Sequence, residues 1–367
     1  MNGAPPFRAD HVGSLLRPRE LIEARHKMRD RTIDEEELGV LEDRAIRDVV
    51  KFQEDIGLQA VTDGEFRRGA FFSHFVKNVA GMTVKATPFT FSNDAGDTAP
   101  AYAPFTAGRL KRTRGISTEE FKFVKSLTSR TVKVTMPAPP YVNFLGGRER
   151  VEESAYSDMS EYFSDLAAVY REEFADLAGL GCTFVQLDEV PLAMMEDPVV
   201  NDRIRSLGED PAKLIEAYID VLTATLRDKP SSLIVGMHLC RGNYRGRWLA
   251  TGGYGRVAER IFNIPGIDVF FMEYDSPRAG DFSPLTLLPK GKTVILGLIS
   301  SKTGDLEDKR MVLQRIDEAA KCAPIDQLGL SPQCGFATNL TGSPLTLADE
   351  RAKLQLVVDV ANQVWKH

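Results

Sequence analysis

The chain has 367 residues, 46 Lys and Arg against 52 Asp and Glu, a net charge of −6, 43% hydrophobic residues, 29 Gly and 20 Pro. This is the composition of an ordinary folded protein able to bury a large core. Scattered positive charge on an acidic chain excludes the basic footprint of a nucleic-acid binder, and no segment approaches the roughly 18 apolar residues of a membrane span. The start, MNGAPPFRADHVGS, has neither the basic nor the apolar region of a secretion signal, so a cytoplasmic location is expected.

Short apolar runs alternate with longer helical patterns along the chain. DHVGS at 10–14 is the first strand signal, and a helical pattern over 34–56 follows, with Ile46, Val49, Val50 and Phe52 spaced for one face. The second run is 58–64. Residues 65–131 are then too long for one crossover, and the Gly, Thr and Pro content of 81–108 marks an insertion rather than a separate domain. Strand signals return at 132–138, 183–189, 233–240, 267–274, 293–299 and 328–334, with helical patterns at 158–179, 210–227, 306–321 and 345–364. Eight strands in this rhythm predict a (β/α)8 barrel of the TIM type, one domain over 1–367 with an insertion at about 66–131 after the second strand. An open doubly wound sheet shares the same alternation.

Reactive residues of such a barrel stand at the C-terminal ends of its strands. Those ends carry Ser14, Asp63, Glu65, Asp188, Glu189, His238, Cys240, Glu273 and Cys334. In His238-Leu239-Cys240 the period of two turns both outer side chains to one face. Alone, such a pair is more often a packed histidine beside a buried thiol. With Glu273 and Cys334 on the same rim, the set offers one imidazole, two thiolates and one carboxylate, a donor set that suits Zn²⁺ better than magnesium or calcium. Structural zinc sites favour compact knuckles, whereas these residues come from three separate strand ends. Cys182 and Cys322 have no such neighbours and read as spectators. Glu65 and Asp188 either cap the following helices or meet a ligand. Arg241, Arg245 and Arg247 offer forked donors to an anion, and GGYG at 252–255 shapes a turn.

FRADHVGSLLRP at 7–18, DIGLQAVTDGEFRR at 55–68, FVQLDE at 184–189, MHLCRGN at 237–243, FMEYDS at 271–276 and LSPQCGF at 330–336 together resemble the cobalamin-independent methionine synthase family, specifically its zinc-bearing C-terminal barrel and shorter single-barrel relatives. The resemblance implies zinc on His238, Cys240, Glu273 and Cys334, and contacts from Ser14, Glu65 and Asp188 to the amino-acid end of homocysteine. It implies a zinc-dependent thiol alkyltransferase that methylates homocysteine to methionine, with the metal-bound thiolate as nucleophile. The chain departs from the family's folate users in three ways. It has no room for their second barrel, TMPAPPYVNF lacks their tryptophan platform, and SSKTGDLE stands where they place an acidic histidine, leaving Lys302 as the substitute acid. The methyl or alkyl donor therefore stays open between folate, a corrinoid and others. Related zinc barrels join coenzyme M to an epoxide, which keeps a different thiol acceptor open, and a zinc-binding protein without chemistry is the rival from another class.

Overall fold

A computed structural model describes residues 5–340 and 342–365. Nine strands form: β1 Ala60–Val61, β2 Val79–Ser92, β3 Thr98–Arg112, β4 Thr131–Pro137, β5 Phe184–Asp188, β6 Ile234–Leu239, β7 Val269–Glu273, β8 Thr293–Ile299 and β9 Leu328–Pro332. Seven make one sheet in the order β1-β4-β5-β6-β7-β8-β9, every neighbouring pair parallel. Strands β5, β7, β8 and β9 are buried at every position, as expected of parallel strands covered on both faces, and β8 and the start of β7 read as apolar runs for that reason.

The N-terminal segment links the two edges of this curled sheet, giving the TIM-type α/β barrel. On one side Ala9 bridges Leu330 in parallel, with Asp10 N donating to Leu330 O at 3.1 Å and Leu330 N to Arg8 O at 2.8 Å. On the other, Thr62 Oγ1 donates to Gly13 O at 2.7 Å and Leu15 N to Gly64 O at 3.1 Å. A buried ion pair between Lys133 of β4 and Asp10, 2.7 Å long, ties the segment to the interior. The run expected as a strand at 10–14 is thus an irregular closing segment. Gly13 has φ +130°, which breaks the ladder, and a Cβ there would stand 2.5 Å from Thr135 Cγ2.

The helices follow their sequence signals closely. Glu35–Ile56 starts at an Asp34/Glu37 capping box, and Leu347–Val364 at a Thr346/Asp349 box. Met159–Gly179, Pro211–Leu226 and Lys309–Ala319 fill the other expected positions, and Arg19–Arg29 and Thr118–Leu127 are additional.

The segment 65–131 holds a long antiparallel hairpin, β2 with β3, rather than irregular loop. Register shifts between Ala80 and Met82 and between Ala86 and Thr90 interrupt its period of two, which hid the strands among the Gly, Thr and Pro residues. Phe89, Ala101, Ala103, Phe105 and Leu110 turn inward from it. Arg150 grips its middle, donating to Ala86 O at 3.0 Å, Ala103 O at 2.8 Å and Pro104 O at 2.6 Å. At the far end, Ser92 and Trp248 exchange backbone hydrogen bonds of 2.7 and 2.9 Å, so the hairpin is fastened to the loop after β6.

Candidate metal centre

Parallel register sets the rim. His238 of β6 stands beside Asp188 of β5, and Glu273 ends β7 beside Gly297 of β8. Cys240 follows β6 on the same face as His238, and Cys334 lies in the turn after β9, where Gln333 N donates to Ile299 O at 2.8 Å. Glycine at 335 lets that turn close against the N-terminal segment, because a Cβ there would meet Ser14 Oγ at 1.9 Å.

One donor atom from each of His238, Cys240 and Cys334 lies within 4.8 Å of the others, and all three residues are buried. The two sulfurs are 3.9 Å apart. Sulfurs each about 2.3 Å from a tetrahedral zinc ion stand about 3.8 Å apart, so the spacing already fits. Neither ring nitrogen of His238 has a hydrogen-bond partner despite full burial, a cost that a metal ion would remove. Donation from Cys334 and the nearby imidazole hold the Cys240 thiol well below its ordinary range, while the same sulfur contact and burial push Cys334 up. The pair thus readily supplies one thiolate, and a cation would draw off the second proton.

Glu273 does not join this group. Its Oε1 accepts from Lys302 Nζ at 2.9 Å and Arg278 at 3.1 Å, and its Oε2 from Arg241 N at 2.6 Å. Burial would raise its pKa, but these cations outweigh burial and hold the carboxyl at about 2. Lys302, the expected acid, is also bound to Asp275 at 3.2 Å; burial opposes its charge, yet the two carboxylates keep its pKa above the usual lysine value. It is not among the residues that line the cavity over the metal donors.

That cavity, about 260 Å³, brings Ser14, Glu65 and Asp188 together with His238, Cys240 and Cys334. Glu65 sits in left-handed backbone, φ +61°, held by its N–H donating to Asp63 Oδ1 at 2.9 Å. Thr135 Oγ1 donates to Glu65 Oε1 at 2.8 Å and Arg68 stands behind it at 3.4 Å, while Glu65 Oε2 is buried without a partner. Gln186 Nε2 donates to Asp188 Oδ1 at 2.8 Å. Burial, reinforced by Glu65, pushes Asp188 up to about 7, and burial raises Glu65 as well. Two carboxyls short of positive charge at one end of a cavity form a receptor for an ammonium group.

Residues 7–363 match the family model for the cobalamin-independent synthase catalytic domain. The chain belongs to that family. It is 38% identical to YxjH, an uncharacterised Bacillus subtilis protein, over 98% of this chain and 95% of that one. Its fold matches a Listeria monocytogenes protein provisionally assigned as a vitamin-B12-independent methionine synthase, with TM-score 0.77 and 31% identity over 99% of both chains. It also matches a B12-independent methionine synthase from Shewanella at TM-score 0.74 and 21% identity over 98% of both, a likeness of fold. Relatives named as 5-methyltetrahydropteroyltriglutamate–homocysteine methyltransferases are covered over only 38–43% of their length. The family is thus one of homocysteine methyltransferases, long associated with zinc. Among the described residues no helix is long and apolar enough to cross a membrane.

The main element of this family member's cavity that sequence reasoning missed is aromatic. Phe71, Phe72, Tyr141 and Phe144 form a chain of ring contacts at 4.6–5.7 Å, and Phe91 of the hairpin stacks on Tyr244 at 5.5 Å. The clusters FF at 71–72 and YVNF at 141–144 were visible, but nothing in them tells a cavity wall from core. Of the three arginines after Cys240, Arg241 is a brace and not an anion holder. Its guanidinium is spent on Gly252 O and Gly253 O, at 2.8 and 2.7 Å, the two carbonyls opening the GGYG turn. Arg247 pairs with Asp97 of the hairpin at 3.4 Å.

Proposed function

We propose that this protein is a zinc-dependent homocysteine S-methyltransferase that forms methionine. The observation that carries the reading is the trio His238, Cys240 and Cys334, set within 4.8 Å and lining one cavity with the carboxyls of Glu65 and Asp188. When bound there, zinc would keep the substrate sulfur as a thiolate near pH 7, where a free thiol of pKa about 8.5 is mostly protonated. His238, Cys240 and Cys334 would hold the ion, and three protein donors are the mark of a catalytic rather than a structural zinc site. Glu273, expected as a fourth ligand, would reach the ion only by leaving Lys302 and Arg278, which receive its carboxylate here.

The remaining residues position the acceptor. Glu65 Oε2 and Asp188 take the ammonium group of homocysteine, and Ser14, pressed against Gly335, bounds the same end. Holding the amino-acid end of the substrate there would leave its sulfur free to reach the metal donors in the same cavity, where an electrophilic carbon can approach in line. A cytoplasmic location, where thiols stay reduced, suits this chemistry. The test is X-ray absorption at the zinc edge with and without homocysteine. A third sulfur neighbour should appear on addition of the amino acid; an unchanged shell would instead identify an inert zinc-binding protein.

A further inference from the structure

The cavity that holds the metal donors is also lined by aromatic rings, so a methyl donor in line with the sulfur would meet them. None of its described lining residues is Lys or Arg, and its charged carboxyls, Glu65 and Asp188, are both acidic. Arg68 lies behind Glu65, outside the lining, and Lys302 is bound to Glu273 and Asp275. A folate polyglutamate brings several carboxylates, and no cation here receives them. The volume, about 260 Å³, is below the roughly 300–1,000 Å³ of ordinary ligand sites. What the cavity offers instead is aromatic lining: the chain of rings from Phe71 to Phe144, and the stacked Phe91 and Tyr244, at 26° between planes. Tyr141 belongs to this wall and keeps its hydroxyl proton, since burial and the neighbouring Cys240 sulfur both push its pKa up.

We infer that the methyl donor is a small onium compound, a methylsulfonium, held between the aromatic walls contributed by Phe71, Tyr141, Phe91 and Tyr244. The inference rests on the proposed thiol activation. Rings of this kind attract a positively charged methyl-bearing centre, most strongly once water is displaced. The step balances without a further reactant. The homocysteine thiol loses its proton to solvent on binding; its sulfur forms a new S–C bond to the methyl carbon, and the S–CH3 bond of the donor breaks with its electron pair going to the leaving sulfur. The donor departs as a neutral thioether. That leaving group needs no proton, whereas a folate amine does, and Lys302, the expected acid, is turned onto two carboxylates.

Two measurements test this. The first is calorimetric titration of trimethylsulfonium into the metal-free protein and into Tyr244→Leu, Phe91→Leu and Tyr244→Phe variants; both rings are only partly buried, so these chains should fold. Binding should weaken about 3- to 30-fold for each leucine variant and persist in Tyr244→Phe, in line with one cation–π contact per ring. Absent binding, or equal binding by all four proteins, overturns the inference. The second is methionine formation by the zinc-loaded protein from homocysteine with S-methylmethionine, 5-methyltetrahydrofolate as mono- and triglutamate, methylcobalamin, or methyl iodide. Turnover should be fastest with the sulfonium among the biological donors. Faster transfer from folate or methylcobalamin, or reaction with methyl iodide alone, overturns the onium donor while leaving thiol activation standing. If even methyl iodide gives no methionine, the proposed function falls and this inference with it.

Discussion

The two ends of the cavity are built by different means. The metal end is made by barrel strands: β6, β7 and the turn after β9 deliver His238, Cys240, Glu273 and Cys334 from rigid, fully buried positions. The aromatic lining comes from four separate places, Phe71 and Phe72 before the β2–β3 hairpin, Phe91 in it, Tyr141 and Phe144 after β4, and Tyr244 in the loop after β6, the hairpin being fastened to that loop by the backbone exchange at Ser92. A metal needs donors placed to within a few tenths of an ångström, which sheet register supplies. A methyl donor needs shape and a surface of the right polarity, which a hairpin can change without disturbing the sheet. On the proposed reading, thiol activation belongs to the barrel strands, and part of the donor's contact belongs to the insertion.

If that division is right, damage to the metal end should be the most severe. Cys334→Ala should abolish both zinc retention, read by metal analysis, and methyl transfer to homocysteine. Undiminished transfer by the metal-free variant would remove the metal end from the chemistry altogether. Glu65→Gln keeps the shape and the Thr135 contact but removes a charge facing the substrate ammonium. It should lower kcat/KM for homocysteine about 10- to 100-fold, the value of one or two charge-assisted hydrogen bonds, with zinc content unchanged.

Substitutions in the insertion should act on the donor alone. Arg150→Ala removes the side-chain donor from four carbonyls of the hairpin, those of Lys85, Ala86, Ala103 and Pro104. Amide exchange over 79–112 should quicken about tenfold and the KM for the methyl donor rise several-fold, while the KM for homocysteine stays within about twofold. Equal effects on both substrates would show that the two ends are not separable. The smallest effect on catalysis is expected at Glu350. It is buried, accepts from Leu16 N at 2.8 Å, and burial pushes it up to about 8 from an ordinary value of 4.5. Between those values the folded chain holds a proton that the unfolded chain has lost, so the stability that Glu350 contributes should be full below about pH 4.5 and decline as pH rises to about 8. Glu350→Gln should flatten that decline in denaturant midpoints against pH without altering turnover.

Much of the metal end was legible in the linear chain, because strand alternation and spacing are local. The period of two in His238-Leu239-Cys240 placed imidazole and thiol on one face, and the count of apolar runs predicted a closed barrel that would gather Cys334 beside them. The helix starts at Asp34 and Thr346 could be read from capping residues for the same reason. Three things were decided only by tertiary structure. The first strand dissolved into a closing segment, since Gly13 had to take left-handed backbone against Thr135. Glu273 and Lys302, 29 residues apart in the chain, found each other at 2.9 Å, and a buried carboxylate and ammonium in reach will pair whatever role their positions suggest. The aromatic wall arose from four separate segments whose rings are indistinguishable from core until long-range packing shows which faces stay open to a cavity.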